Sequence, residues 1–211
     1  MTQKRSVLLG SVLVVVVLAG GAGINSSIHV ADGEVREGTL SALNGRISIG
    51  DAATVGNCHS VNGSITVGRD ARVESLDSVN GGVSIGEGAI VERSVAAVNG
   101  KISLSQGARA EAVTSINGPI RLTGAEVGRD VKTINGNIAL LDGSIVHGDI
   151  VVEEPDSGSR RQGRPLRIEL AGASVVEGNV IVEDPEMAVE LYLRDGSRVI
   201  GRVENATVIE E

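Results

Sequence analysis

The chain has no phenylalanine and no tryptophan, and Tyr192 is its only aromatic residue. A globular core of 211 residues usually draws on aromatics, because they bury the most area per side chain. Their absence points to a narrow core filled by Ile, Val, Leu and Ala. It also removes the platforms on which sugar rings stack, so paired carboxylates for glycoside cleavage find no support. Cysteine occurs once, as Cys58, which excludes an internal disulfide. An excess of basic residues is missing too: the formal net charge is -8, which argues against nucleic acid as a partner.

What the chain has in abundance is asparagine-glycine. The pairs Asn44-Gly45, Asn62-Gly63, Asn80-Gly81, Asn99-Gly100, Asn117-Gly118 and Asn135-Gly136 follow one another at spacings of 18, 18, 19, 18 and 18 residues, and Asn25-Ser26 stands 19 residues before the first. A fixed period of this size is the signature of a repeat architecture. The residue before each Asn is apolar. Three residues after it come Ile28, Ile47, Ile65, Val83, Ile102, Ile120 and Ile138, and five after it Val30, Ile49, Val67, Ile85, Leu104, Leu122 and Leu140. Apolar residues two apart with a polar or small one between are strand spacing, and most are β-branched. A second stretch adds the small row Ala53, Ala71, Ala89, Ala108 and Ala125, then Val55, Val73, Val91, Ala110 and Val127, then Leu40, Cys58, Leu76, Val95, Val113 and Val131.

Asn-Gly could close β-hairpins, but hairpins predict mirrored patterns. Here one pattern is translated, so like stacks on like. The sequence therefore predicts an all-β fold: a single-stranded parallel β-helix, or β-solenoid. Each coil has ~18 residues and about three short strands, with nine to ten coils in all. Corners are expected at the Asn-Gly pairs and at Gly50, Gly68 and Gly86, where Asn and Gly tolerate a left-handed backbone. Asn25, Asn44, Asn62, Asn80, Asn99, Asn117 and Asn135 are expected to stack as a turn ladder, their amides bonding along the axis. Two of the three faces fit the hexapeptide pattern of left-handed helices. The third is off by one residue and the repeat slips to 19 twice, which favours the right-handed form.

The ends differ from the middle. Lys4-Arg5, the apolar residues 7–18 broken only by Gly10 and Ser11, and the small run Ala19-Gly20-Gly21-Ala22-Gly23 read as a signal peptide or an N-terminal membrane anchor over residues 1–23. No Cys follows, so a lipoprotein anchor is excluded. The protein is thus expected to be exported, either periplasmic or held at the inner membrane. Regular coils are expected over 24–152 and a solvated loop over 153–166. Further coils follow over 167–211, where Gly143-Ser144-Ile145-Val146 is echoed by Ala173-Ser174-Val175-Val176 and Gly196-Ser197-Arg198-Val199.

No residue is predicted to be catalytic, to bind a cofactor or to ligate a metal. Cys58 occupies an inward aliphatic row and reads as a small apolar filler. His29, His59 and His147 fall at different repeat positions, so no pair is placed to share a metal and none is singled out as an acyltransferase base. The outward row His29, Ser48, Thr66, Ser84, Ser103, Arg121, Ala139 is too interrupted for an ice-binding hydroxyl array. Arg160, Arg161 and Arg164 are flanked by Glu153, Glu154 and Asp156, which reads as a self-neutralising loop.

Val61-Asn62-Gly63-Ser64-Ile65-Thr66-Val67-Gly68 and the run Gly143-Ser144-Ile145-Val146-His147-Gly148-Asp149-Ile150 resemble bactofilins, the polymer-forming bacterial cytoskeletal proteins. The repeated phrase is also similar to adhesin-type solenoid domains of exported bacterial proteins. The chain departs from bactofilins in its export segment and in lacking a terminal Phe. The resemblance implies a non-enzymatic structural protein of the cell envelope, without cofactor or small-molecule substrate. Its partners would be a second copy through the N-terminal coils, or cell wall or membrane. An adhesin-like or polysaccharide-binding module using residues 153–165 is the alternative, and a hexapeptide-type transferase the third reading. The first coil is expected to lack a cap, whereas Glu204, Glu210 and Glu211 place charge around the final strand.

Overall fold

The computed structural model describes residues 22–23, 25–155 and 164–211. Among these the chain is all strand and turn, with no helix and therefore none long and apolar enough to cross a membrane. The strands stack in parallel, one coil on the next. Ile47–Ile49 pairs with Ile65–Val67, and that strand with Val83–Ile85, each step advancing by one repeat. The protein is a β-solenoid. One sheet contains ten strands, from Ile28–Val30 to Thr207–Glu210, and a second contains fifteen. Ten rungs at ~4.8 Å make a stack roughly 45 Å long.

Alternation does what the pattern predicts. In Ile65–Val67, Val83–Ile85 and their neighbours the two flanking aliphatics are buried and the residue between them faces out. Ile47, Ile65, Val83, Ile102 and Ile120 lie one over the next and are at most 1% exposed. Each such side chain stabilises the fold by about 1.5–3 kcal/mol through burial.

The other two stretches of each coil are joined or separate according to the residues between them. In Thr54–Ser60, Arg72–Ser78 and Arg109–Ser115 two residues separate the inward pair, and the chain runs on as one bent strand. Ile90–Ala97 has one residue more between Val91 and Val95. Glu92, Arg93 and Ser94 are pushed out there as a bulge, and this is how one of the 19-residue repeats is absorbed. From Glu126–Val127 and Val131–Thr133 onward the corner widens and two strands are distinguished. Asp130, Asp149 and Asn179 hold this corner: the Oδ1 of each accepts a backbone N–H from the coil above, at 3.0, 2.7 and 2.9 Å.

The repeat stretches most after Val152, and again, to 23 residues, between Val182 and Val189. Ile138 pairs with Ile168 and Val131–Thr133 with Ile150–Val152, so the extra residues leave the coil after Val152 and return at Leu166. The central part of the expected loop, 156–163, lies outside the described residues. So does nearly all of the segment 1–23, although Ala22–Gly23 already pairs with Ser41–Ala42 as the first rung.

Candidate functional site

The Asn-Gly corner is built by two separate devices. The asparagine amides form a chain of hydrogen bonds parallel to the axis. Nδ2 of Asn44, Asn62, Asn80, Asn99, Asn117 and Asn135 each donates to Oδ1 of the Asn one coil earlier, at 2.8 to 3.0 Å. The ladder runs along the outside of the corner, and Asn25 through Asn117 are exposed.

The glycine beside each Asn is needed for a different reason from the one its sequence suggests. None of these pairs has a positive φ, and neither have Gly50, Gly68 and Gly86. Instead the corner glycines lie against the backbone of the preceding coil. A Cβ on Gly63, Gly100, Gly118 or Gly136 would stand 2.0 Å from the carbonyl oxygen of the glycine below. Left-handed residues sit two positions beyond Gly50, Gly68 and Gly86, at Ala52 (φ 54), Asp70 (φ 53) and Gly88 (φ 64).

A buried hydroxyl row inside the same corner went unread in the sequence. Ser60, Ser78 and Ser115 donate Oγ–H to the carbonyls of Gly63, Gly81 and Gly118 at 2.7 Å. Thr133 Oγ1 accepts the N–H of Gly136 at 2.8 Å. The signal was a Ser, Thr or Ala two residues before each Asn.

Cys58 is fully buried between Leu40 and Leu76. Burial pushes its thiol up to about 12, so the reactive thiolate is suppressed. The histidines stand apart from one another, and His59 and His147 take local partners. His59 Nδ1 lies 3.0 Å from Asp77 Oδ2. His147 spans three coils, with Nε2 2.8 Å from Glu126 Oε1 and Nδ1 2.8 Å from Glu177 Oε2. Arg109 joins the far side of Glu126 at 3.0 Å, completing an axial charge ladder. Both histidines are raised above their ordinary range, His59 by the hydrogen bond it donates to Asp77 and His147 by those it donates to Glu177 and Glu126. Among the described residues no group of three His, Cys, Asp or Glu side chains converges on a metal position.

Other outward charges pair in the same axial manner: Arg69 with Asp51 at 2.8 Å, Arg93 with Glu74 at 2.5 Å, Arg129 with Glu111 at 3.0 Å. Tyr192 is clasped by two cations, with the Arg167 guanidinium 4.1 Å and that of Arg194 5.3 Å from its ring centre, while its hydroxyl donates to Glu190 at 2.8 Å. These contacts explain the only aromatic as a strut of the last coils. No family model, curated protein or solved structure matches the chain.

The ends of the stack carry charge at inward register positions. Arg36 stands at the head of the row that continues as Val55 and Val73, and it pairs with Glu34 at 2.6 Å. In the same coil Ile28 is half-buried, whereas Ile47 above it is fully buried. In the last described coil Glu210 takes the register position opposite Leu193.

Proposed function

We propose that this protein is a non-enzymatic structural rod of the bacterial cell envelope, exported through its N-terminal segment and self-associating to a limited extent through its N-terminal coils. The observation that carries this reading is the unbroken parallel stack: ten like rungs, with the aliphatic rows continuous from coil to coil and axial ion pairs such as Arg69–Asp51 and Arg129–Glu111 tying neighbouring coils. Such a body is a stiff spacer whose rungs are templates for one another. Charged residues at inward positions near both ends, Arg36 and Glu210, oppose unlimited stacking, while the partly uncovered Ile28 favours a short head-to-head contact. In this reading the coil winds right-handed with three faces per turn.

The test is sedimentation of purified wild-type chain and of Ile28→Lys. Concentration-dependent association that the substitution removes supports the proposal. Association that survives Ile28→Lys places the contact elsewhere and contradicts it.

A further inference from the structure

The ten-stranded sheet turns an outward face whose first seven strands carry no carboxylate, in a chain whose net charge is -8. Ser48, Thr66, Ser84 and Ser103 run up its centre one above another. Arg46, Lys101 and Arg121 stand among them and are exposed. Among the described residues no ion pair reaches any of the three. Among the described residues the Arg46 guanidinium makes one hydrogen bond, donated from Nε–H to the Ser64 hydroxyl at 3.1 Å. This separates them from Arg69, Arg93 and Arg129, which are held by carboxylates of neighbouring coils.

Register fixes their spacing. Three rungs separate the strands beside Arg46 and Lys101, about 14 Å, and Arg121 is one rung further, about 5 Å. The cations thus follow the axis instead of converging on a point. That geometry suits an extended anion with spaced charges rather than a compact one. The corner residues Asp51, Asp70 and Glu87 border the face on one side and repel an anion that strays from the axial line. The small hydroxyl side chains between the cations leave the surface flat and offer hydrogen bonds along its length.

We propose that this face binds a linear, carboxylate-bearing polysaccharide laid along the solenoid axis. The guanidiniums of Arg46 and Arg121 and the ammonium of Lys101 pair with its carboxylates, and the Ser and Thr hydroxyls bond its sugar hydroxyls. Recognition led by charge requires no aromatic platform, so the missing Phe and Trp are no obstacle. This goes beyond the rod reading: a rod without such a face would still assemble.

The experiment is titration of the full chain, in neutral detergent, with polygalacturonate and with neutral dextran. Polygalacturonate should bind, dextran should not, and binding should weaken with added salt. The triple variant R46E/K101E/R121E should bind at least about tenfold more weakly. A control triple of paired cations, Arg93→Gln, Arg109→Gln and Arg129→Gln, should bind as wild type does. All three positions on the face are exposed, so the first variant is expected to keep its β-sheet spectrum and melting. Absence of polygalacturonate binding by the wild type at low salt overturns the proposal. So does equal binding by a folded R46E/K101E/R121E. If those substitutions alter the sedimentation of the chain alone and leave polymer binding intact, the face is a contact between copies and the proposal fails.

Discussion

Gly118 lies so close over Gly100 that a methyl group on its Cα would stand 2.0 Å from the Gly100 carbonyl oxygen. The atom in the way is backbone, held by the hydrogen bonds of its own coil, and cannot swing aside. Gly118→Ala should therefore destabilise by about 4 kcal/mol or more, among the largest single-residue effects. Gly33 has φ +66 and open space where its Cβ would be. Gly33→Ala should cost only the left-handed penalty of about 1–2 kcal/mol. Denaturant unfolding of the two variants separates the causes: equal losses would mean that backbone conformation, not close approach, explains the glycine row.

The ladder predicts a smaller effect. Asn80 donates to Asn62 at 2.9 Å and accepts from Asn99 at 2.8 Å. Asn80→Asp removes the donor and sets a carboxylate against the Asn62 carbonyl oxygen. Because the corner is exposed, the loss should be about 1 kcal/mol. A melting temperature unchanged from wild type would show that water replaces the ladder without penalty.

Most of the architecture was legible because a solenoid repeats its own evidence. Seven copies of an apolar-x-apolar phrase fix the strand, its inward faces and its neighbour at once, and Cys58 was placed between Leu40 and Leu76 by its row alone. The reason for glycine was not legible. Asn-Gly is compatible with a left-handed turn and with close backbone approach, and only the distance to the next coil decides between them. Nor did the sequence disclose the His147 ladder, since Glu126, His147 and Glu177 stand 21 and 30 residues apart with no shared motif. The inward position of Arg36 was hidden as well, because the alternation in Val35–Arg36 is reversed relative to Thr54-Val55 above it. The cations Arg46, Lys101 and Arg121 looked like interruptions of a hydroxyl row until they could be set against Arg69, Arg93 and Arg129, which carboxylates of neighbouring coils hold.

Cys58 gives a test of the inward row. With the thiol buried and pushed up to about 12, labelling by a thiol reagent should be slow in the folded chain and fast after denaturation. Cys58→Val should change stability by no more than about 1 kcal/mol, and Cys58→Asp should be severe because it buries an unpaired charge. Rapid native-state labelling would remove Cys58 from the core.

The His147 ladder makes stability depend on pH in a definite direction. Glu177 and Glu126 raise the folded pKa of His147 above its ordinary value of 6.5. The stabilisation is therefore full below that value and is lost as pH rises through the raised one. Thermal melting from mildly acid to mildly alkaline solution should fall, and His147→Gln should flatten the fall in part. The remainder belongs to His59, which Asp77 raises in the same sense. A profile identical in wild type and His147→Gln would mean that the imidazole gains nothing from its two carboxylates.

The rod itself is tested most directly by small-angle X-ray scattering over a concentration series. The account predicts a particle of constant cross-section whose length grows from one stack, roughly 45 Å, to about twice that and then stops. A length fixed at one stack at every concentration would contradict self-association, and growth without limit would contradict the guarding role of Arg36 and Glu210.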